Sequence, residues 1–459
     1  MIQVRADQGK SGASQPADAA QPERKPAGPA GSGARLGWLD ALRGFAALAV
    51  VFQHAGPDLF PGLYRPTHRE LDAGVFGVFL FFLISGYIVP ASLERRGDLR
   101  AFWTGRIFRI YPLFLVVFVA AAALPRAHSG VNVAVFHHPW LTAASNGLLL
   151  QELLGVTNGL DVSWTLSFEM VFYFLVSALF ALNLHRRSVP IAAGFAACAL
   201  LLGGVLPMEL LSHGQREEDW LVGVVLLVVV TAMAAVLGGR AVGIRVGVLA
   251  LGVLGLVLVL VEGRQAPFES MMILATMFTG TAIQRAESGQ IRRGYAIACC
   301  GFVFTAGLLA GARFAGGSLN LIWTASTTSW CTAFAAAWLV FGIGMLLRAR
   351  RMPKVLTWIG AVSYALYLVH VPLLDVVVWG FQHEHYSPKH HLWQEVLCMA
   401  AFTVLALLVA EVLHRLVELP GQRLGRRVLT RLSGGRSAGP SVGPVLDQGK
   451  PNLAGQSPG

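Results

Sequence analysis

Apolar residues run along this chain in blocks of about twenty, separated by short polar connections, the pattern of helices that cross a bilayer rather than of alternating strands. Twelve blocks stand out, at 39–57, 73–92, 107–124, 163–183, 189–208, 220–238, 244–262, 268–286, 294–313, 321–347, 358–380 and 392–416. Each is near the length that crosses about 30 Å of hydrocarbon as a helix. The expected fold is therefore all-α, a polytopic transmembrane bundle of about 10–12 spans. One more stretch, Trp140 to Leu154, is apolar but short, and Ser145, Asn146, Gln151 and Glu152 interrupt it. As a crossing it would reverse every later connection, so it is expected to be a re-entrant or interfacial element of a long outer loop, about 125–162.

Composition fits this pattern: 55% of the 459 residues are hydrophobic and 13% charged. A net charge of +11 would suit a nucleic-acid partner, but the basic residues concentrate in alternate connections. Those connections hold Arg95, Arg96, Arg100 and Arg106; Arg186 and Arg187; Arg240 and Arg245; Arg285, Arg292 and Arg293; then Arg348, Arg350, Arg351 and Lys354. The charge is thus a topology signal that places both termini in the cytoplasm, with a lipid bilayer and no nucleic acid as partner. Residues 1–35 read as a disordered cytoplasmic extension without the apolar core of a signal peptide. Residues 36–420 form the membrane domain, and 421–459 a basic and then disordered cytoplasmic tail. Cys198, Cys299, Cys300, Cys331 and Cys398 lie in apolar spans without zinc or disulfide spacing and read as packing residues.

With the spans placed, the polar residues inside them are Arg43, His54, Ser85, Glu169 and His370. Ionisable groups inside a membrane are expensive and point to a functional site by default. Arg43 and His54 are eleven residues apart, close to three helical turns, so they leave one face of the first helix about 16 Å apart. Glu169, in SWTLSFEMVFYFL, lies at a depth comparable to His54. A His54–Glu169 hydrogen bond would fix the imidazole tautomer and suit it to take a proton from an alcohol attacking an acyl carbonyl. The plainer alternative is a satisfied polar contact between helices. His370 precedes Pro372, which frees a backbone carbonyl, so it has a structural alternative to a place in the site. Ser85 beside Gly86 suits close helix approach.

Arg106 and Arg109 share one helical face in RRGDLRAFWTGRIFRIYP. They are either a positive-inside anchor or, with Arg43, a cradle for the phosphates of a cytoplasmic donor. Asp40, three residues before Arg43, would cap the helix and pair with it. The loop containing His383, Glu384, His385, His390 and His391 carries zinc-binding residue types, but it reads as polar loop, as do His137 and His138, and no metal is expected. A transporter or flippase of a glycan or lipid-linked intermediate also needs many spans. It commonly shows related halves, whereas the polar motifs here crowd into the first 173 residues and recur only near His370.

These segments together resemble the acyltransferase-3 family of integral membrane O-acyltransferases. Arg43 and His54 match its Arg-x10-His signature, and Ser85 and Gly86 its Phe-Phe-x-x-Ser-Gly segment. Arg106 and Arg109 match its Arg-x-x-Arg element. Trp164 and Glu169 match its Trp-Ser-Leu-x-x-Glu block, with Thr165 in place of the serine. SYALYLVH, ending on His370, matches its late block. The matches arrive in the family's order over about 36–420. The resemblance implies about ten spans and transfer of an acyl group, often acetyl, from a cytoplasmic acyl-CoA to a hydroxyl of a sugar, glycan or glycosylated natural product. It implies acyl-CoA as co-substrate with no bound cofactor. His54 would be general base, Glu169 would orient it, and His370 would line the cavity or stabilise the oxyanion. Arg43, Arg106 and Arg109 would hold the donor, with Ser85, Gly86 and Trp164 in support. A multi-pass protein of a bacterial inner (plasma) membrane is expected.

Overall fold

Residues 37–123, 137–315, 326–384 and 391–433 are described by a computed structural model. They form helices and no strand. In chain order these are α1 (Gly37–Leu59), α2 (Pro61–Glu70), α3 (Ala73–Arg96), α4 (Leu99–Ala123), α5 (Pro139–Leu148), α6 (Trp164–Ala181), α7 (Ser188–Leu202) and α8 (Gln215–Leu237). There follow α9 (Ala241–Val261), α10 (Pro267–Glu287), α11 (Arg293–Phe314), α12 (Thr327–Leu347), α13 (Lys354–His383), α14 (Leu392–Leu413) and α15 (Leu419–Ser433).

Each of the twelve expected blocks falls on a helix. Among the described residues, nine helices are long and apolar enough to cross a membrane, by length and composition. The others are α7, only 15 residues long, and α1 and α10, which carry too many polar groups. Those two lie inside the bundle, as α3 does: α1 packs on α13 and α3, and α10 on α7 and α3. A helix shielded from lipid by its neighbours can afford polar side chains that a lipid-facing one cannot. The outer helices instead turn apolar residues outward, among them Leu227, Val230, Val253 and Leu408.

Close helix crossings set the geometry. A Cβ on Gly360 of α13 would lie 1.8 Å from the Asp40 carbonyl oxygen of α1, and one on Gly86 of α3 would lie 1.9 Å from that of Met277 in α10. Only glycine allows backbones to approach so nearly. At the second crossing the Thr281 hydroxyl donates to the Gly86 carbonyl at 2.8 Å.

The stretch 140–154 does not cross. It forms α5, ten residues or about 15 Å, and a 3-10 turn at Gln151–Leu153. Its irregular backbone is buried but satisfied: Asn146 accepts from the Gly159 amide at 2.8 Å and donates to Thr142 and Thr157 carbonyls, while Gln151 donates to Ser163. That is the condition for non-helical chain within a membrane domain.

Two helices lie outside the expected blocks. α2, opened by Pro61 at its first turn, is pinned over the end of α1. Ser329 donates to the His68 carbonyl at 2.6 Å, and the Gly62 amide donates to Glu395 of α14 at 2.7 Å. α15 continues α14 through a π-helical turn at His414–Glu418, whose end residues meet at 2.7 Å. Its Gly421 and Gly425 seat against Phe108 and Pro112 of α4, while Arg423, Arg426 and Arg427 are exposed. The basic tail expected from 421 is thus helical as far as Ser433; the extension 1–35, the tail beyond 433, and His385 and His390 lie outside the described residues.

Candidate active site

The tight α1–α13 crossing brings two histidines from distant parts of the chain together. His54 Nδ1 is 3.2 Å from His370 Nε2, with the ring centroids 5.0 Å apart. His370 is fully buried and His54 half-buried. Each Nδ1 also faces a backbone carbonyl one turn back, Val50 for His54 at 2.9 Å and Leu366 for His370 at 3.1 Å. A carbonyl only accepts, so both rings carry their hydrogen on Nδ1. The Nδ1–H of His54 is then shared between Val50 O and His370 Nε2. His54 Nε2 keeps its lone pair and has no partner among the described residues. The Leu368 carbonyl, which Pro372 leaves without its helical donor, is not what His370 serves.

Beside this pair lies a cavity of about 920 Å³, mouth included, walled by α1, α3, α4, α6 and α13. Arg43, Arg106 and Arg109 all line it, so the three arginines matched to the donor element do converge. Arg106 is held in place: Nη2 donates to Ser92 Oγ at 3.0 Å, and its guanidinium lies over the rings of Phe102 and Tyr173 at 5.3 and 5.1 Å. Arg43 and Arg109 make no hydrogen bond or ion pair among the described residues, although Asp40 and Glu418 lie close enough to act on Arg43 through their charge. Two guanidiniums without hydrogen-bond partners at a cavity suit an anion, with Glu169 of the same lining also acting on Arg43 through its charge.

Glu169 is in this cavity too, and this corrects the expected His54–Glu169 pairing. Its Oε1 accepts from the hydroxyl of Tyr173, one turn further along α6, and the position beside His54 is taken by His370. Counting turns placed His54 and Glu169 at similar depth, but depth does not fix rotation or helix order. A carboxylate settles among guanidiniums, where its charge is compensated.

Ser85 lines the cavity, while its neighbour Gly86 makes the α3–α10 contact. Trp164 opens α6 with its ring edge-on to Phe168 at 6.1 Å. Sequence reasoning assigned nothing to the tyrosines of the late block. Tyr364, whose hydroxyl donates to the Ile110 carbonyl at 2.9 Å, ties α13 to α4. Tyr367 ties it to the start of α6, its hydroxyl 2.8 Å from both Thr165 Oγ1 and the Val162 carbonyl. Their signal was present as spacing: positions 364, 367 and 370 fall on one helical face. No group of three His, Cys, Asp or Glu side chains among the described residues is placed to hold a metal.

Compared with known families, residues 36–415 match the acyltransferase domain of the acyltransferase-3 type. Similar curated proteins include the acyltransferase MdmB of Streptomyces mycarofaciens, 31% identical over 36% of this chain and 45% of its own length. Nodulation protein 10 of Rhizobium leguminosarum bv. viciae is 33% identical over 32% of this chain and 44% of its own. The O-acetyltransferase OatA of Staphylococcus aureus is 25% identical over 32% of this chain and 25% of its own. The matched segments thus span less than half the length of these relatives. No solved structure matches.

Proposed function

The chain belongs to the acyltransferase-3 family of integral membrane O-acyltransferases, and on that premise we propose that it moves an acyl group, acetyl foremost, from acyl-CoA to a hydroxyl of a sugar, glycan or glycosylated natural product. One observation supports this most: Arg43 and Arg109 line a common cavity without hydrogen-bond partners, while beyond Tyr367 of its wall His54, paired with His370, keeps an Nε2 without a partner among the described residues. The first arrangement suits the phosphates of a donor and the second suits deprotonation of an alcohol.

In this reading Arg43, Arg109 and the fixed Arg106 hold the donor phosphates. His54 Nε2 takes the proton of the acceptor hydroxyl as its oxygen adds to the thioester carbon. The carbon–sulfur bond then breaks, and the proton passes to the leaving thiolate. His370 Nε2 accepts from His54 Nδ1–H throughout, keeping the ring oriented and supporting the imidazolium. Glu169 contributes from the donor side, where its bond to Tyr173 holds a carboxylate among the arginines. The Lys/Arg-rich connections support a bacterial plasma membrane protein with both termini inside. The arginine end then faces the cytosol, where acyl-CoA resides, and the histidine end faces outward. The relative named an O-acetyltransferase supports acetyl and an oxygen acceptor; the sugar acceptor rests on the family resemblance.

The test is incubation of the purified protein with radiolabelled acetyl-CoA and candidate glycans. Labelled product together with free CoA is expected. Passage of glycan across vesicles without covalent change would replace this reading with transport.

A further inference from the structure

Tyr367 borders both the proposed donor cavity and the histidine pair. Tyr367 lines the cavity, which neither His54 nor His370 does. Its ring centroid is 6.0 Å from that of His370, one turn further along α13. The hydroxyl reaches across to α6, 2.8 Å from Thr165 Oγ1 and 2.8 Å from the Val162 carbonyl. Phe81 of α3 packs edge-on against the ring at 6.0 Å. The phenol is therefore strapped at its tip and braced on its flank, and it stands between the anion-binding end and the base.

We propose that Tyr367 is the residue that decides between acceptor and water: a septum, strapped by Thr165 and the Val162 carbonyl, which keeps water on the histidine side from the thioester until an acceptor is engaged. The proposal rests on the acyl-CoA reading above. A thioester held open to a histidine base and water would hydrolyse. His54 Nε2 would take a proton from water as its oxygen adds to the carbonyl carbon; the carbon–sulfur bond would break, the proton would pass to the thiolate, and carboxylic acid and CoA thiol would leave. Excluding water from a reactive group is a recognised task of a closed site. A single aromatic ring held by two hydrogen bonds can do this and still swing aside.

The experiment uses the full chain in lipid nanodiscs with acetyl-CoA and no acceptor, reading thiol release alongside binding of labelled acetyl-CoA. Tyr367→Ala is expected to raise thiol release about tenfold over wild type. Tyr367→Phe and Thr165→Val, which loosen the strap and preserve the packing, should raise it about threefold. Adding His54→Ala to Tyr367→Ala should return release to the wild-type level. If all three single variants bind acetyl-CoA as wild type does and release thiol no faster, the septum is overturned. Should Tyr367→Ala misfold, its binding will be lost and the two milder variants decide. Wild-type protein that binds no acetyl-CoA would overturn the donor reading, a result distinct from normal binding without a leak.

Discussion

His54 Nδ1 stands 3.2 Å from His370 Nε2, and the Leu366 carbonyl on the far side of His370 fixes that ring as the acceptor. The two histidines are therefore unequal partners. One keeps a ring nitrogen without a partner among the described residues; the other accepts from its second nitrogen.

Substitution should show this inequality. His54→Ala is expected to lower kcat about a thousandfold with membrane insertion intact, because the proton acceptor is gone. His370→Leu should lower kcat about thirtyfold with little change in the donor KM. His370→Gln, whose Oε1 can accept from Nδ1–H, should recover most of that loss. Steady-state kinetics of the three variants check the order, and normal turnover by His54→Ala would remove the base assignment.

The arginines should separate into two kinds. Arg43→Ala and Arg109→Ala are expected to raise the KM for acetyl-CoA at least about tenfold with a small effect on the acceptor, as unpaired guanidiniums awaiting phosphate would. Acetyl-N-acetylcysteamine, a thioester without phosphates, should be used equally poorly by wild type and by both variants. Arg106→Ala should raise the donor KM and also lower the melting temperature, since its guanidinium is packed between Phe102 and Tyr173. Equal loss of affinity for donor and acceptor in Arg109→Ala would refute the phosphate role.

Two glycines should tolerate nothing larger. Gly360→Ala and Gly86→Ala each place a methyl group within 2 Å of a backbone oxygen on the facing helix. Each is expected to cost more than about 3 kcal/mol and to reduce monodisperse yield in detergent. The control Gly342→Ala, at a position with no atom within 4 Å of the new Cβ, should behave as wild type.

Asp72, which precedes α3, gives a pH signature. Burial lifts its carboxyl above the usual range against the opposing pull of the Val75 amide and His68. A carboxyl raised in the folded state favours folding most at pH below its ordinary value. That contribution is lost as pH rises through the raised value. Asp72→Asn keeps an oxygen for the Val75 amide, which the carboxylate now accepts at 2.8 Å. Its melting temperature should gain on wild type as pH rises through that window and hold level above it. A gap independent of pH would contradict the assignment.

The helices were legible because each apolar block must supply its own backbone hydrogen bonds in lipid, which leaves helix as the solution. α2 was not, since a ten-residue segment between spans, with Arg65, His68, Arg69 and Glu70, reads as a loop until Pro61 and the α12 hydroxyls are seen to hold it. The convergence of Arg43, Arg106 and Arg109 could be anticipated from their common end of the bundle. The partner of His54 could not, because it depends on which helix lies against α1, and that is set by the close approach of Gly360 to the Asp40 carbonyl, two positions far apart in the chain. Tyr367 was likewise visible as spacing without a role, for its hydroxyl acts on a carbonyl that no side-chain pattern marks.

Arg43 and His54 ride on a single uninterrupted helix, and α1 thereby works as a ruler. On the proposed acyl-CoA reading, its rise between them, about 16 Å, sets the reach that the carrier needs between its anionic head and its reactive carbon. A carrier with a shorter arm could be gripped or could react, but could not do both at once.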